Sequence, residues 1–172
     1  MNEGHVRKSH EHRIDLAGEY KWGDTGQLIF IIVFIIGLFI DLFIIEFSNV
    51  WQDLFPLYFR IVIFLALFFS AIYLGRRSHR IIFKEERKKL LVIDKDVYSL
   101  IRHPMYFASI LTYLGFVILS FSIVAFVIFV LIFIFYYYLC IYEEKLLIEN
   151  LGDDYKKYMK KVPMFIPKIN KY

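Results

Sequence analysis

The fold class this sequence predicts is an all-α integral membrane protein of about four transmembrane helices, ending in a helical hairpin with a polar pocket at one end. Three observations predict it. The 172 residues are 59% hydrophobic and 20% aromatic. A soluble fold of that size keeps too much of its area in water to hide so much apolar surface, and lipid is the natural solvent for the excess. The apolar residues gather in blocks whose lengths match bilayer crossings. The short connections between those blocks carry no Lys or Arg, whereas the flanking segments carry nearly all of them.

Each element follows in order. A polar segment, 1–26, precedes the first apolar run, which argues against a cleaved signal peptide with its apolar region near the start. Residues 28–47 then form an apolar run broken only by Asp41 and Glu46. At ~1.5 Å per residue it reaches about 30 Å, the hydrocarbon thickness of a bilayer. The second run, 54–74, has Pro56 in its first turn and Arg60 as its lone charge. Between them the short polar stretch 48–53 carries Trp51, an interfacial residue type. A third block, 105–142, would be roughly 57 Å long as one helix, almost twice what a membrane accommodates. Leu119-Ser120-Phe121-Ser122 is the best place to turn it back, giving spans 106–120 and 122–141. Residues 27–172 form one membrane domain, with a tail over 143–172.

Lys and Arg number four before residue 27, nine in 76–104 and seven after 142, with none in 48–53 or 119–122. The positive-inside rule places both termini and the 76–104 segment in the cytoplasm, as a multi-pass protein. Asp41 and Arg60 each fall six residues from the outer end of their span, so they are expected to pair and lock the first two helices. An isolated charge at that depth costs at least ~2.5 kcal/mol.

The chemistry-bearing residues sit at the two ends of the predicted hairpin. Tyr98, Arg102, His103, Pro104, Met105 and Tyr106 lead into it, and Glu143 and Glu144 lead out. A hairpin brings its entrance and exit together at one membrane surface, so these groups should meet. Pro104 suits the first turn of a helix, and the free amides of that turn suit an anionic group. On spacing alone an interfacial anchor and a solvated glutamate pair explain the residues equally well. The sole cysteine, Cys140, permits no disulfide or cysteine metal cluster, and the five histidines show no ligand spacing, so no metal is expected. No phosphate-binding glycine loop, HExxH, CxxC or GxSxG is present. The basic stretch 76–89 reads as a membrane anchor attracted to anionic lipid, and no nucleic-acid partner is expected.

From Tyr98 through Arg102-His103-Pro104-Met105-Tyr106, a hairpin, Glu143-Glu144, Gly152, Tyr155, Tyr158 and a closing 162–167, the sequence resembles the isoprenylcysteine carboxyl methyltransferase family. The resemblance extends to the wider group that includes membrane phospholipid methyltransferases. The resemblance covers roughly 90–168 and rests on an ordered set of motifs, RHPxY first among them. It implies an S-adenosylmethionine-dependent methyltransferase acting on a lipophilic small molecule or lipidated substrate taken from membrane lipid. It implies that His103, Pro104, Met105 and Tyr106 line the S-adenosylmethionine pocket, with Tyr98 and the segment Leu90, Leu91, Val92 and Ile93. Glu143 is implied to contact the cofactor with Glu144 supporting it. Arg102, Glu143 and Glu144 are the catalytic candidates, Arg102 or the helix N-terminus facing the cofactor's carboxylate.

The chain departs from the family at three places. Ala108 stands where glycine is frequent. Asp96-Val97-Tyr98 replaces Gly-x-Tyr, which predicts a turn built differently. Leu139 occupies the place, one turn before the first glutamate, where prenylcysteine enzymes carry an arginine associated with the substrate carboxylate. A thiol, an amine, or a carboxylate held by another base such as Arg102 stays open as acceptor. The tail 143–162 reads as an amphipathic helix broken near Gly152, whose Tyr155 and Tyr158 share a face and pack over the pocket. Residues 162–167, with proline near both ends, read as a rigid extended strap. Two other functions fit parts of the pattern: a non-enzymatic membrane scaffold derived from the family, and an NADPH-dependent membrane reductase, a class expected to need many more spans.

Overall fold

The structure, a computed structural model, describes residues 23–45, 55–83 and 91–166. Trp51, Leu90 and most of the 1–26 segment lie outside the described residues. Among the described residues there are six α-helices: α1 (Gly23–Ile40), α2 (Leu57–Phe83), α3 (Val97–Leu100), α4 (Pro104–Ser120), α5 (Ile123–Leu151) and α6 (Asp153–Lys161). A π-helical turn, Asp41–Ile45, continues α1. No strand occurs among the described residues. Three helical stretches, Thr25–Ile45, Leu57–Ile82 and Ile123–Leu151, are long and apolar enough to cross a membrane, and Pro104–Ser120 is a shorter apolar helix. The outward faces support that reading: Ile35, Phe43, Val62, Phe69, Leu131 and Tyr138 are among many large apolar side chains left exposed, which water would penalise.

The predicted hairpin is present, and its turn is built from local chemistry. Phe121 takes a left-handed conformation at φ 55 and its N–H bonds back to the Val117 carbonyl at 2.8 Å. Ser122 then caps α5, its hydroxyl accepting from the Ala125 amide at 3.0 Å. Helix α4 sits centrally, packed on α2 along one side and α5 along the other, while α1 packs on α5. Phe34, Ile110, Tyr113, Ala125, Ile132 and Tyr136 form the core of that arrangement.

Ala108, the first departure from the family pattern, lies in the packed interface of α2 and α4. Ala108 is buried on α4, and a Cβ built on Gly75 of α2 would lie 3.8 Å from the Ala108 Cβ.

Helix α2 runs beyond the predicted 74 to Phe83, because Arg76 to Arg80 favour helix and nothing there breaks it. Helix α5 likewise continues past 142 to Leu151, so Glu143 and Glu144 stand on its rigid last turns instead of on a separate tail helix. The break comes at Gly152, as predicted, with φ 58 and ψ −130.

The expected Asp41–Arg60 pair does not form. The Ser122 hydroxyl donates to buried Asp41, and Arg60 Nη1 donates to the Leu119 carbonyl at 3.1 Å. The reason is topological: the α4–α5 hairpin lies between α1 and α2, so both charges bind its turn instead of each other.

The turn before Tyr98 also corrects an expectation. Asp96 has φ 58 and ψ −130, the same unusual conformation as Gly152, so the glycine-type turn is kept with a residue that strains to make it. Such strain costs roughly 1–3 kcal/mol. The Arg77–Asp96 ion pair at 2.5 Å offsets part of it, but a half-exposed pair contributes at most ~1 kcal/mol. Asp96→Gly is therefore expected to raise the thermal midpoint in detergent, by about 1 kcal/mol of stability. A lowered midpoint contradicts the strain.

Candidate functional site

The site is built where α4 begins and α5 ends. Helix α3 stops at Leu100, Ile101 turns extended (φ −144, ψ 147), and the chain passes through Arg102 and His103 before Pro104 opens α4 at its first position. Pro104 fits there because the first helical N–H has no intrahelical partner. His103 is the N-cap residue, yet its side chain makes no capping bond. The ring is turned instead toward α5.

There it meets both glutamates. His103 Nε2 lies 3.1 Å from Glu144 Oε1 and Nδ1 lies 3.8 Å from Glu143 Oε2. An ionised Glu144 only accepts, so Nε2 carries the proton toward it. The same Glu144 oxygen accepts from Arg102 Nε at 2.7 Å. The Tyr106 hydroxyl donates to Glu143 in a short hydrogen bond, and its ring packs 5.9 Å from His103 and 5.4 Å from buried Tyr136. Glu143, Glu144 and His103 are all buried. Carboxylates are kept inside only when paired, and here each has a donor.

The structure thus brings together five of the predicted residues: Arg102, His103, Tyr106, Glu143 and Glu144. Pro104 is buried beside them and Met105 is half-buried one residue further along. Tyr98 is buried as well, and its carbonyl accepts from the Tyr158 hydroxyl at 2.6 Å. Ile93 packs with Ile81, Val97 and Tyr98, and Val92 packs with Tyr155, Tyr158 and Val162. These contacts are apolar and hold the 91–93 segment between α2 and α6. Leu91 is exposed.

Arg102 binds backbone carbonyls as well as Glu144. Its Nη1 donates to the carbonyls of Met159 at 3.1 Å and Val162 at 2.6 Å, at the C-terminal end of α6. A cation is well placed at that end of a helix dipole. With Nε on Glu144, the guanidinium joins α5 to α6 instead of facing open space.

Sequence reasoning missed the far side of this contact. The Arg102 amide donates to the Pro163 carbonyl at 2.9 Å and the His103 amide to the Met164 carbonyl at 3.3 Å. The described part of the strap expected over 162–167 is therefore hydrogen-bonded to the start of the RHPxY segment. Phe165, buried, reaches the rings of Phe107, Phe133 and His103. A lone aromatic between two prolines was the available signal.

Burial raises the Tyr155 and Tyr158 phenols well above the ordinary tyrosine range, with Glu144 adding to the effect at Tyr155 and Arg102 opposing it at Tyr158. Both act as neutral hydroxyls. Tyr158→Phe is expected to cost roughly 1–2 kcal/mol, since the Tyr98 carbonyl loses its buried donor. Thermal unfolding in detergent checks this, and an unchanged midpoint contradicts it.

With this geometry in view, the family model for phospholipid methyltransferase matches residues 27–154. That is well over half of the chain. This protein belongs to the phospholipid methyltransferase family. Membership implies a membrane methyltransferase. Both halves of the polar cluster fall inside the matched stretch of this phospholipid methyltransferase relative, whereas the 162–166 strap lies beyond it. Neither the curated proteins nor the solved structures compared with the chain gave a match.

Proposed function

We propose that the protein transfers a methyl group from S-adenosylmethionine to a membrane-held lipid whose reacting atom lies at headgroup depth, on the cytoplasmic side. The observation that carries this reading is the buried carboxylate of Glu143, fixed by the Tyr106 hydroxyl and flanked by His103 at the mouth of the hairpin. The donor set fits the cofactor. Its sulfonium and ammonium call for a carboxylate, and its own carboxylate calls for amides such as those at the uncapped start of α4. When bound, the cofactor supplies an electrophilic methyl on a sulfonium that leaves as a neutral thioether.

The protein's contribution is placement. Displacement at a methyl carbon needs the nucleophile in line with the leaving sulfur, and orientation alone supplies much of the rate. Glu143 holds the cationic end, the Tyr106 hydroxyl fixes Glu143 with His103 beside it, and the rings of Tyr106 and Tyr136 pack around it.

The acceptor is best read as an amine or another uncharged nucleophile. A buried substrate carboxylate needs a cation. Leu139 is buried in the apolar core and offers none, and Arg102 is committed to Glu144 and the α6 carbonyls. An acceptor carboxylate would meet at most the Nη2 edge of a guanidinium whose charge Glu144 already neutralises. Incubation in nanodiscs with methyl-labelled S-adenosylmethionine and a total lipid extract tests the reading. Label in an amine headgroup lipid is expected. Failure to label any lipid, or NADPH binding without S-adenosylmethionine binding, contradicts it.

A further inference from the structure

Arg102 stands in the family motif, but two of its side-chain hydrogen bonds run to a part of the chain that the family match does not reach. Its side chain is 10% exposed, and its Nε and Nη1 hydrogens go to Glu144, Met159 and Val162. The backbone beside it bonds to Pro163 and Met164. From these contacts we infer that Arg102 is a positioning residue, a latch that fastens the 159–165 segment against the start of α4 and thereby sets the cofactor-binding carboxylate. The inference rests on the functional reading above.

The physical path is continuous. The end of α6 holds the guanidinium through two carbonyls. The guanidinium fixes Glu144 Oε1, and that oxygen fixes His103 through Nε2. With Nε2 held, Nδ1 faces Glu143 at 3.8 Å. Phe165 anchors the other end of the strap between Phe107 of α4 and Phe133 of α5, against the His103 ring. Arg102 and Phe165 thus serve one event, docking of the strap. Only a planar fork reaches all three acceptors at once; an ammonium supplies the charge without that geometry. Glu144 turns to the latch and Glu143 to the ligand, so the adjacent glutamates divide the work.

The test is a double-substitution cycle on the full chain in nanodiscs, reading S-adenosylmethionine affinity and hydrogen exchange of the Arg102 and His103 amides. Arg102→Lys keeps the charge and loses the fork. It is expected to weaken binding on the order of tenfold, as misplacement of a positioning group does, and to speed exchange at both amides. Phe165→Ala should do the same, and the double variant should bind little worse than the weaker single one, because both remove one docking event. A direct ligand role predicts the opposite. Lysine would then preserve affinity, and the two losses would multiply in the double variant. Either result overturns the latch, as does unchanged exchange in Arg102→Lys. A wild-type chain that takes up no S-adenosylmethionine overturns the functional reading instead, and the exchange measurement still decides the latch.

Discussion

Glu143→Gln is expected to lower affinity for S-adenosylmethionine about a hundredfold, roughly 3 kcal/mol, and to remove methyl transfer with it. The substitution is nearly isosteric. The Tyr106 hydroxyl keeps an oxygen to donate to, so the local packing survives and only the negative charge is lost. That charge is what a sulfonium and an ammonium would meet in a buried site, where charge-assisted contacts are about twice as strong as neutral ones. The fold should not suffer, since removing one of two adjacent buried carboxylates relieves their repulsion. An unchanged or higher thermal midpoint together with lost binding is the expected pair of results. Binding retained at wild-type strength contradicts the assignment of Glu143.

Glu144→Ala should act through stability instead. Glu144 Oε1 is shared by Arg102 and His103, both buried or nearly so. Removing one member of a buried ion pair leaves the other uncompensated, at about 3–5 kcal/mol. Thermal unfolding in detergent should show a loss of that order, with the 159–165 segment newly open to protease. Glu144→Gln, which keeps an acceptor oxygen, should lose less than half as much. A small loss for Glu144→Ala, below about 1 kcal/mol, would place the pair in the class of solvated surface bridges.

Much of this architecture was legible in the residues. Apolar run lengths located the long helices, and Leu119-Ser120-Phe121-Ser122 marked the turn because the block was too long for one crossing. The meeting of Arg102, His103 and Tyr106 with Glu143 and Glu144 follows directly from that turn. What escaped was anything decided by which helix lies beside which. Asp41 and Arg60 sit at matching depth, but depth does not reveal that the α4–α5 hairpin separates them. The conformation of Asp96 was hidden for another reason. Aspartate there suggested a different turn, whereas Asp96 takes the same φ 58 and ψ −130 as Gly152. The role of Arg102 depends on carbonyls of Met159 and Val162, and backbone acceptors leave no trace in side-chain patterns.

The account stands on one pocket formed jointly by the start of α4 and the end of α5. Ultraviolet cross-linking of methyl-labelled S-adenosylmethionine, followed by peptide mapping, tests it most directly. Label is expected on the peptides bearing Tyr106 and Tyr136-to-Glu144, and excess unlabelled cofactor should suppress it. Label confined to other segments, or label that unlabelled cofactor does not compete away, would contradict the shared pocket.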